Sequence, residues 1–156
     1  MSEEPIHPRF GYAVAFLERA IRRSLSEALS PFELTVAQYT VLWLLGHLEG
    51  KSNAQLARRA YISPQAMNEV LLHLEQRGLA ERSPSPDHAR VQPARLTPTG
   101  RSVLSGCETA VDAMEDELLG GMPLEERRKL IDVLVQTARR VSDVRADGTQ
   151  NERSPR

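Results

Sequence analysis

Residues 52–78 read SNAQLARRAYISPQAMNEVLLHLEQRG, and residues 79–96 continue LAERSPSPDHARVQPARL. Ser52-x-x-Gln55 has the spacing of a capping box, in which each side chain bonds the other residue's backbone N–H, and it predicts a short helix through Ala60. Tyr61 and Ile62 form a turn. Ser63-Pro64 then supplies an N-cap followed by proline at the first helical position, where a missing N–H costs nothing. The helix it opens runs to Arg77 and stops at Gly78. Met67, Val70, Leu71 and Leu74 recur at helical spacing and form a buried face, which leaves Gln65, Ala66, Asn68, Glu69, Leu72 and His73 on the other side. Residues 79–83 and 91–96 predict two strands around a turn-rich loop over 83–88. Pro93 would remove a ladder hydrogen bond, so the hairpin is an exposed edge element.

Working outward, Phe10, Val14, Leu17 and Ile21 recur at spacings of 4, 3 and 4, continued by Ser24 and Ala28. They mark a helix of about five turns that Pro31 ends. Thr35-x-x-Gln38 is a second capping box, opening a helix through Leu45 that is apolar nearly all round and therefore expected to be buried; Gly46 or Gly50 closes it. Beyond the hairpin, Thr97-Pro98 caps a long helix on which Leu104, Cys107, Val111, Met114 and Leu118 repeat at 3, 4, 3 and 4. Gly120-Gly121 breaks it. Pro123 opens a last helix with Leu130, Leu134, Ala138 and Val141 on one side. The expected architecture is mainly α with a small β-hairpin wing. A lobe over 35–101 sits between dimerisation helices over 9–30 and 102–142, in a single domain spanning 9–142. A flexible start (1–8) and a disordered tail (143–156), polar and without periodicity, complete the chain.

The 156 residues suffice for one domain, with 40% hydrophobic and 26% charged residues typical of a soluble globular protein. No apolar run approaches the roughly 20 residues of a membrane helix, and the acidic start predicts no signal peptide. The single cysteine, Cys107, rules out an internal disulfide and fits a reducing cytoplasm. The net charge of −1 conceals an asymmetry: residues 51–101 carry 8 Lys/Arg against 4 Asp/Glu, while both flanking segments are net acidic. A basic middle of this kind suits a polyanion. Asp112, Glu115, Asp116 and Glu117 lack a nearby His or Cys and read as a solvated face rather than a metal site. No nucleophile motif, phosphate loop or paired-carboxylate arrangement is visible, so neither an enzyme nor a cofactor is expected.

An amphipathic helix with an open polar side fits the DNA major groove, about 12 Å wide, and its N-terminal residues reach base edges first. Gln65 and Asn68 can bond adenine bidentately, and Glu69 can accept from cytosine, with His73 further along. Ser63, Pro64 and the free N–H groups over 63–66 suit a phosphate. Arg82 and Arg95 lie on the strands, and Arg90, near the loop tip, can enter the minor groove. One such lobe reads a short half-site, so specificity calls for two lobes about 34–36 Å apart. The seams over 10–28 and 104–118 suit helix contact between protomers, with Phe10, Val14, Leu17, Leu118, Leu130 and Leu134 as the candidate dimer interface.

The ordered set of a capped short helix, Ser63-Pro64-Gln65, Leu74-Glu75-Gln76-Arg77-Gly78-Leu79, His88-Ala89-Arg90 and Leu96-Thr97-Pro98-Thr99-Gly100 resembles the MarR family of multiple-antibiotic-resistance-type regulators, over about residues 9–142. The resemblance implies a homodimeric winged helix-turn-helix regulator that binds a pseudo-palindrome in double-stranded DNA. Repression of nearby genes, relieved by a small lipophilic or phenolic effector, would follow. The family's wing commonly carries Asp-x-Arg; here the matching positions are His88 and Arg90, with Asp87 one place earlier, so the arginine is kept without its usual carboxylate partner. The resemblance also places an effector pocket between dimer base and DNA lobe, where Tyr12, Phe16, Tyr39, Trp43 and His47 are candidates; core packing accounts for the same residues equally. Two alternatives stay open: a winged-helix protein-interaction module without DNA binding, and a thiol-redox-sensing regulator acting through Cys107. The second is weakened because no Lys, Arg or His lies within a helical turn of that thiol to activate it.

Overall fold

Each of three short polar motifs starts a helix. The computed structural model describes residues 9–48, 50–82 and 93–151, the last ten by backbone alone. Helix α1 (Phe10–Leu29) leads through a 3-10 turn at Ser30–Phe32 to α2 (Val36–His47). At Thr35 the capping box closes in both directions: Gln38 N–H donates to Thr35 Oγ1 at 3.2 Å, and Thr35 N–H donates to Gln38 Oε1 at 2.9 Å. Ser52 and Gln55 repeat the arrangement at the head of α3 (Asn53–Ala60). Ser63 Oγ accepts from Ala66 N–H at 3.1 Å and opens α4 (Pro64–Gln76) with Pro64 in the first turn. Loss of such a cap costs about 1 kcal/mol. Gly46 stays inside α2, and it is Gly50, at φ +70°, that takes the left-handed turn beyond it.

The end of α4 determines how the wing leaves the helix. Gly78 turns left-handed at φ +68°, its N–H donates to Glu75 O, and Leu79 N–H donates to Leu74 O. This is the Schellman pattern, and Leu74 and Leu79, its apolar pair, are both buried. Strand β1 (Ala80–Arg82) pairs antiparallel with β2 (Ala94–Leu96), Glu81 facing Arg95. Among the described residues β1 begins at Ala80, one residue after the start expected, and β2 follows Pro93; residues 83–92, which hold the loop and the ends of both expected strands, lie outside the described residues. Pro93 sits just before β2 rather than in its ladder, as its missing N–H requires.

Helix α5 (Pro98–Leu118) is clamped to the wing base. Thr97 Oγ1 donates to Gly78 O at 2.6 Å, accepts from Gly100 N–H at 3.0 Å, and Thr97 N–H donates to Leu79 O at 3.1 Å. Gly100 is obligatory here because a Cβ would run into the carbonyl oxygen of Leu79. Behind these contacts lies one core, built from Leu29, Val41, Leu42, Leu56, Met67, Leu71, Leu74, Leu96, Leu104 and Cys107 among others; no polar or charged side chain is buried in it among the described residues. The expectation of a buried α2 holds for Val41, Leu42, Leu44 and Leu45, whereas Trp43 is 40% exposed.

The chain divides after Met114 into two compact units. In the second, Gly121 turns at φ +75° between α5 and α6 (Leu124–Asn151), and Arg127 ties the turn by bonding Asp116 and, at 3.1 Å, Met122 O. The backbone of α6 continues to Asn151, beyond Val141, where the apolar period ends and an irregular tail was expected. Arg145, Ala146 and Gln150 are good helix formers, and each further residue adds a backbone bond without a new nucleus. No described helix is long and apolar enough to cross a membrane.

Candidate nucleic-acid interface

Helix α4 buries Met67, Leu71 and Leu74 against the core, which turns Gln65, Asn68, Glu69, Leu72 and His73 to solvent, as the spacing predicts. Ala66 is half-buried. His73 lies eight residues after Gln65, about 12 Å along the axis, so the two mark opposite ends of the exposed face. Leu72, 52% exposed on that face, has no core partner to explain it. An apolar side chain there suits a thymine methyl group.

The phosphate-binding capacity of the α4 N-terminus is narrower than expected. Pro64 has no N–H and Ala66 N–H is held by Ser63, so Gln65 N–H is the one donor of this turn, after Ser63, left without a partner among the described residues. Cations missed by the motif reading lie beside it. Arg58 and Arg59 in the last turn of α3 are exposed and form no ion pair among the described residues. Tyr61 follows them at φ 55°, a left-handed conformation rare for an aromatic, with 76% of its surface exposed. The signal for these residues was present in the basic excess over 51–101, but it carried no spacing rule to single them out.

The wing arginines differ in how they are held. Arg82 Nε lies 2.7 Å from Glu75 Oε1, the two side chains only 31% and 24% exposed, and so ties β1 to α4. Arg95 donates to Glu81 Oε1 at 2.8 Å across the two strands, with 64% and 49% exposure. An exposed pair of the second kind is worth about 0–1 kcal/mol, so a phosphate can take Arg95 cheaply; Arg82 is the more firmly held. Arg90, with Asp87 and His88, lies outside the described residues.

Asn53 joins the two helices at this surface. Its Nδ2 donates to Pro64 O at 3.3 Å and to Asn68 Oδ1 at 2.9 Å. Its own Oδ1 is buried with no donor among the described residues. An unmet acceptor costs about 1–3 kcal/mol, which the two bonds of Nδ2 offset. Bonding of adenine through both amide atoms of Asn68, the expectation from the sequence, would need the acceptor that here faces Asn53.

The five effector-pocket candidates differ in their surroundings. Tyr12 and Phe16 on α1 are 64% and 61% exposed, and Tyr39 packs on the core. Trp43 stacks on His47, ring centroids 4.3 Å apart, while His47 Nδ1 lies 2.9 Å from Trp43 O and Nε2 lies 3.6 Å from Glu108. A separate cavity of about 640 Å³ between α2, the wing base and the start of α5 is lined by Leu45, Leu96, Arg95 and Arg101 among others. Burial pushes the Cys107 thiol up from its ordinary pKa, Glu108 adding to the shift and Arg77 opposing it. The thiol is fully buried, unlike a reactive one.

Apolar side chains also remain on the surface. Phe10, Val14 and Leu17 on α1 are 39–63% exposed; in the second unit Leu118, Leu130 and Leu134 are 38–47% exposed. Exposed apolar rows of this length mark association surfaces.

A model of the MarR family matches residues 34–91. The HTH-type transcriptional repressor Rv2887 of Mycobacterium tuberculosis (strain ATCC 25618 / H37Rv) is 36% identical over 119 residues, 76% of this chain and 86% of the relative. Its crystal structure in complex with p-aminosalicylic acid matches 84% of this chain and 99% of that one, with a TM-score of 0.67 and 34% identity. The transcriptional repressor CouR, bound to a 23-mer DNA duplex, matches 83% of this chain and 92% of its own, with a TM-score of 0.77 and 29% identity.

Proposed function

The chain belongs to the MarR family, and from that premise we propose that it is a homodimeric transcriptional repressor that binds a pseudo-palindromic operator in double-stranded DNA. It acts in the cytoplasm and catalyses no reaction. The observation that carries this reading is α4, whose apolar side is sealed into the core while Gln65, Asn68, Glu69 and Leu72 face solvent. Two amides, a carboxylate and an apolar side chain on one open helix face are what base-edge readout needs. The Ser63 hydroxyl and Gln65 N–H, with Pro64 shaping the turn and Arg58 and Arg59 beside it in sequence, hold backbone phosphates; Arg95 and Arg90 extend the contact to the wing, and His73 closes the far end of the helix.

The exposed faces of α1, the end of α5 and α6, including Phe10, Val14, Leu17, Leu118, Leu130 and Leu134, pair the protomers. A repressor relative binds p-aminosalicylic acid, which supports a small aromatic or lipophilic effector here, with Tyr12, Phe16, Tyr39, Trp43 and His47 as the residues to line its site once a partner covers α1. An effector that changes the spacing of two lobes by a few ångströms mismatches the half-sites, and each mismatched base pair costs roughly 1–3 kcal/mol.

Fluorescence anisotropy against DNA from the protein's own upstream intergenic region, over a series of salt concentrations, tests the proposal. Tight binding that falls steeply with salt and weakens on Arg90→Ala is expected. Feeble binding insensitive to salt and to Arg90→Ala would instead favour a protein-interaction module.

A further inference from the structure

Resting on the DNA-binding reading, we infer that Asn53, on a helix that need not touch bases itself, decides which bases Asn68 reads: it holds the Asn68 amide with its donor outward, so that Asn68 takes bases with a major-groove acceptor, rejects cytosine and has no special preference for adenine. The orientation of both amides follows from one group that cannot be reversed. Pro64 O is a carbonyl and only accepts, so the Asn53 atom 3.3 Å from it is Nδ2. The same Nδ2 lies 2.9 Å from the Asn68 amide, whose atom at that point must accept and is therefore Oδ1. An amide nitrogen has two hydrogens, and both are now engaged. Because the two polar atoms of an amide point apart, Asn68 turns Nδ2 away from α3, and this group has no partner among the described residues.

In the major groove guanine N7 and O6, adenine N7 and thymine O4 accept, whereas cytosine presents only the N4 donor. An outward N–H donor therefore matches guanine, thymine or adenine N7, meets another donor at cytosine, and cannot make the two-atom bond that would favour adenine. A freely rotating asparagine would take any of the four. Neither residue type nor spacing predicts this restriction, because it arises from a contact fifteen residues apart in sequence between the first turn of α3 and the second turn of α4.

The experiment is selection from a double-stranded library with a randomised core by the full chain and by Asn68→Ala, Asn53→Ala and Asn53→Asp. Asn68→Ala identifies the symmetric base positions that Asn68 reads. At those positions the unsubstituted protein is expected to deplete cytosine about tenfold relative to guanine, thymine and adenine, the factor carried by roughly one base-edge hydrogen bond. Asn53→Ala should flatten the preference there alone. Asn53→Asp gives up the bond to Pro64 O but offers an acceptor to Asn68, turns its amide over so that the acceptor faces outward, and should move the preference toward cytosine and adenine, whose amino groups donate. Unchanged preference in both Asn53 variants, or an equal loss at every position as from simple destabilisation, would overturn the inference while leaving DNA binding intact. An Asn68→Ala variant that alters no position would do the same. Failure of the unsubstituted protein to enrich any sequence would overturn the DNA-binding reading itself, and this inference with it.

Discussion

Gly100 shows how much of a helix-strand junction can depend on one missing atom. The first turn of α5 crosses Leu79 so closely that its carbonyl occupies the place of a Cβ, and Thr97 bonds both Gly78 and Gly100 to keep it there. Gly100→Ala should cost about 1–3 kcal/mol through forced backbone displacement, read as a lowered Tm by calorimetry; a Tm equal to that of the parent would contradict the close approach. Residue-level legibility divides along sequence distance. Thr35, Ser52, Ser63 and Gly78 were readable because each finds its partner within five residues. The Asn53–Asn68 bond, and the bonds from Arg77 Nη1 and Nη2 to the carbonyls of Glu33 and Phe32 at 2.7 and 3.0 Å, join different elements and have no local signature.

At the scale of elements, the wing is held by two arginines doing different things. Arg82 is half-enclosed against Glu75 of α4, whereas Arg95 lies on the open strand face beside Glu81. Arg82→Ala is expected to lower Tm by loosening β1 from α4. Arg95→Ala should leave Tm unchanged and reduce the salt slope of DNA binding by about one. Equal effects of the two substitutions on both measurements would deny the distinction. From the sequence the two were interchangeable, both being arginines flanking a turn; only the facing carboxylates separate them. Helix identities and order were legible from caps and 3.6-residue periods, while the start of β1 and the far end of α6 were not, since short ladders and terminal helical turns carry little apolar pattern.

The whole molecule is defined as much by what one chain leaves uncovered as by its core. Large apolar side chains on α1, and separately on α6, are exposed beyond what a lone soluble chain needs. Leu134→Glu is expected to shift a dimer to monomer by light scattering. DNA affinity should fall by about 10²-fold or more, the loss that follows when two linked half-site contacts become one. A dimer that survives Leu134→Glu with full DNA affinity would move the interface elsewhere. The basic middle between acidic flanks, visible at once in the sequence, makes sense at this scale because it coincides with the lobe that carries α3, α4 and the wing.

The most direct measurement is the affinity of the full chain and of Gln65→Ala for the upstream intergenic duplex and for a scrambled duplex at one fixed salt concentration. Base reading by α4 predicts that Gln65→Ala loses roughly 1–3 kcal/mol on the native duplex and nothing on the scrambled one, bringing the two affinities together. Equal losses on both duplexes, or no loss on either, would contradict a base-reading role for α4.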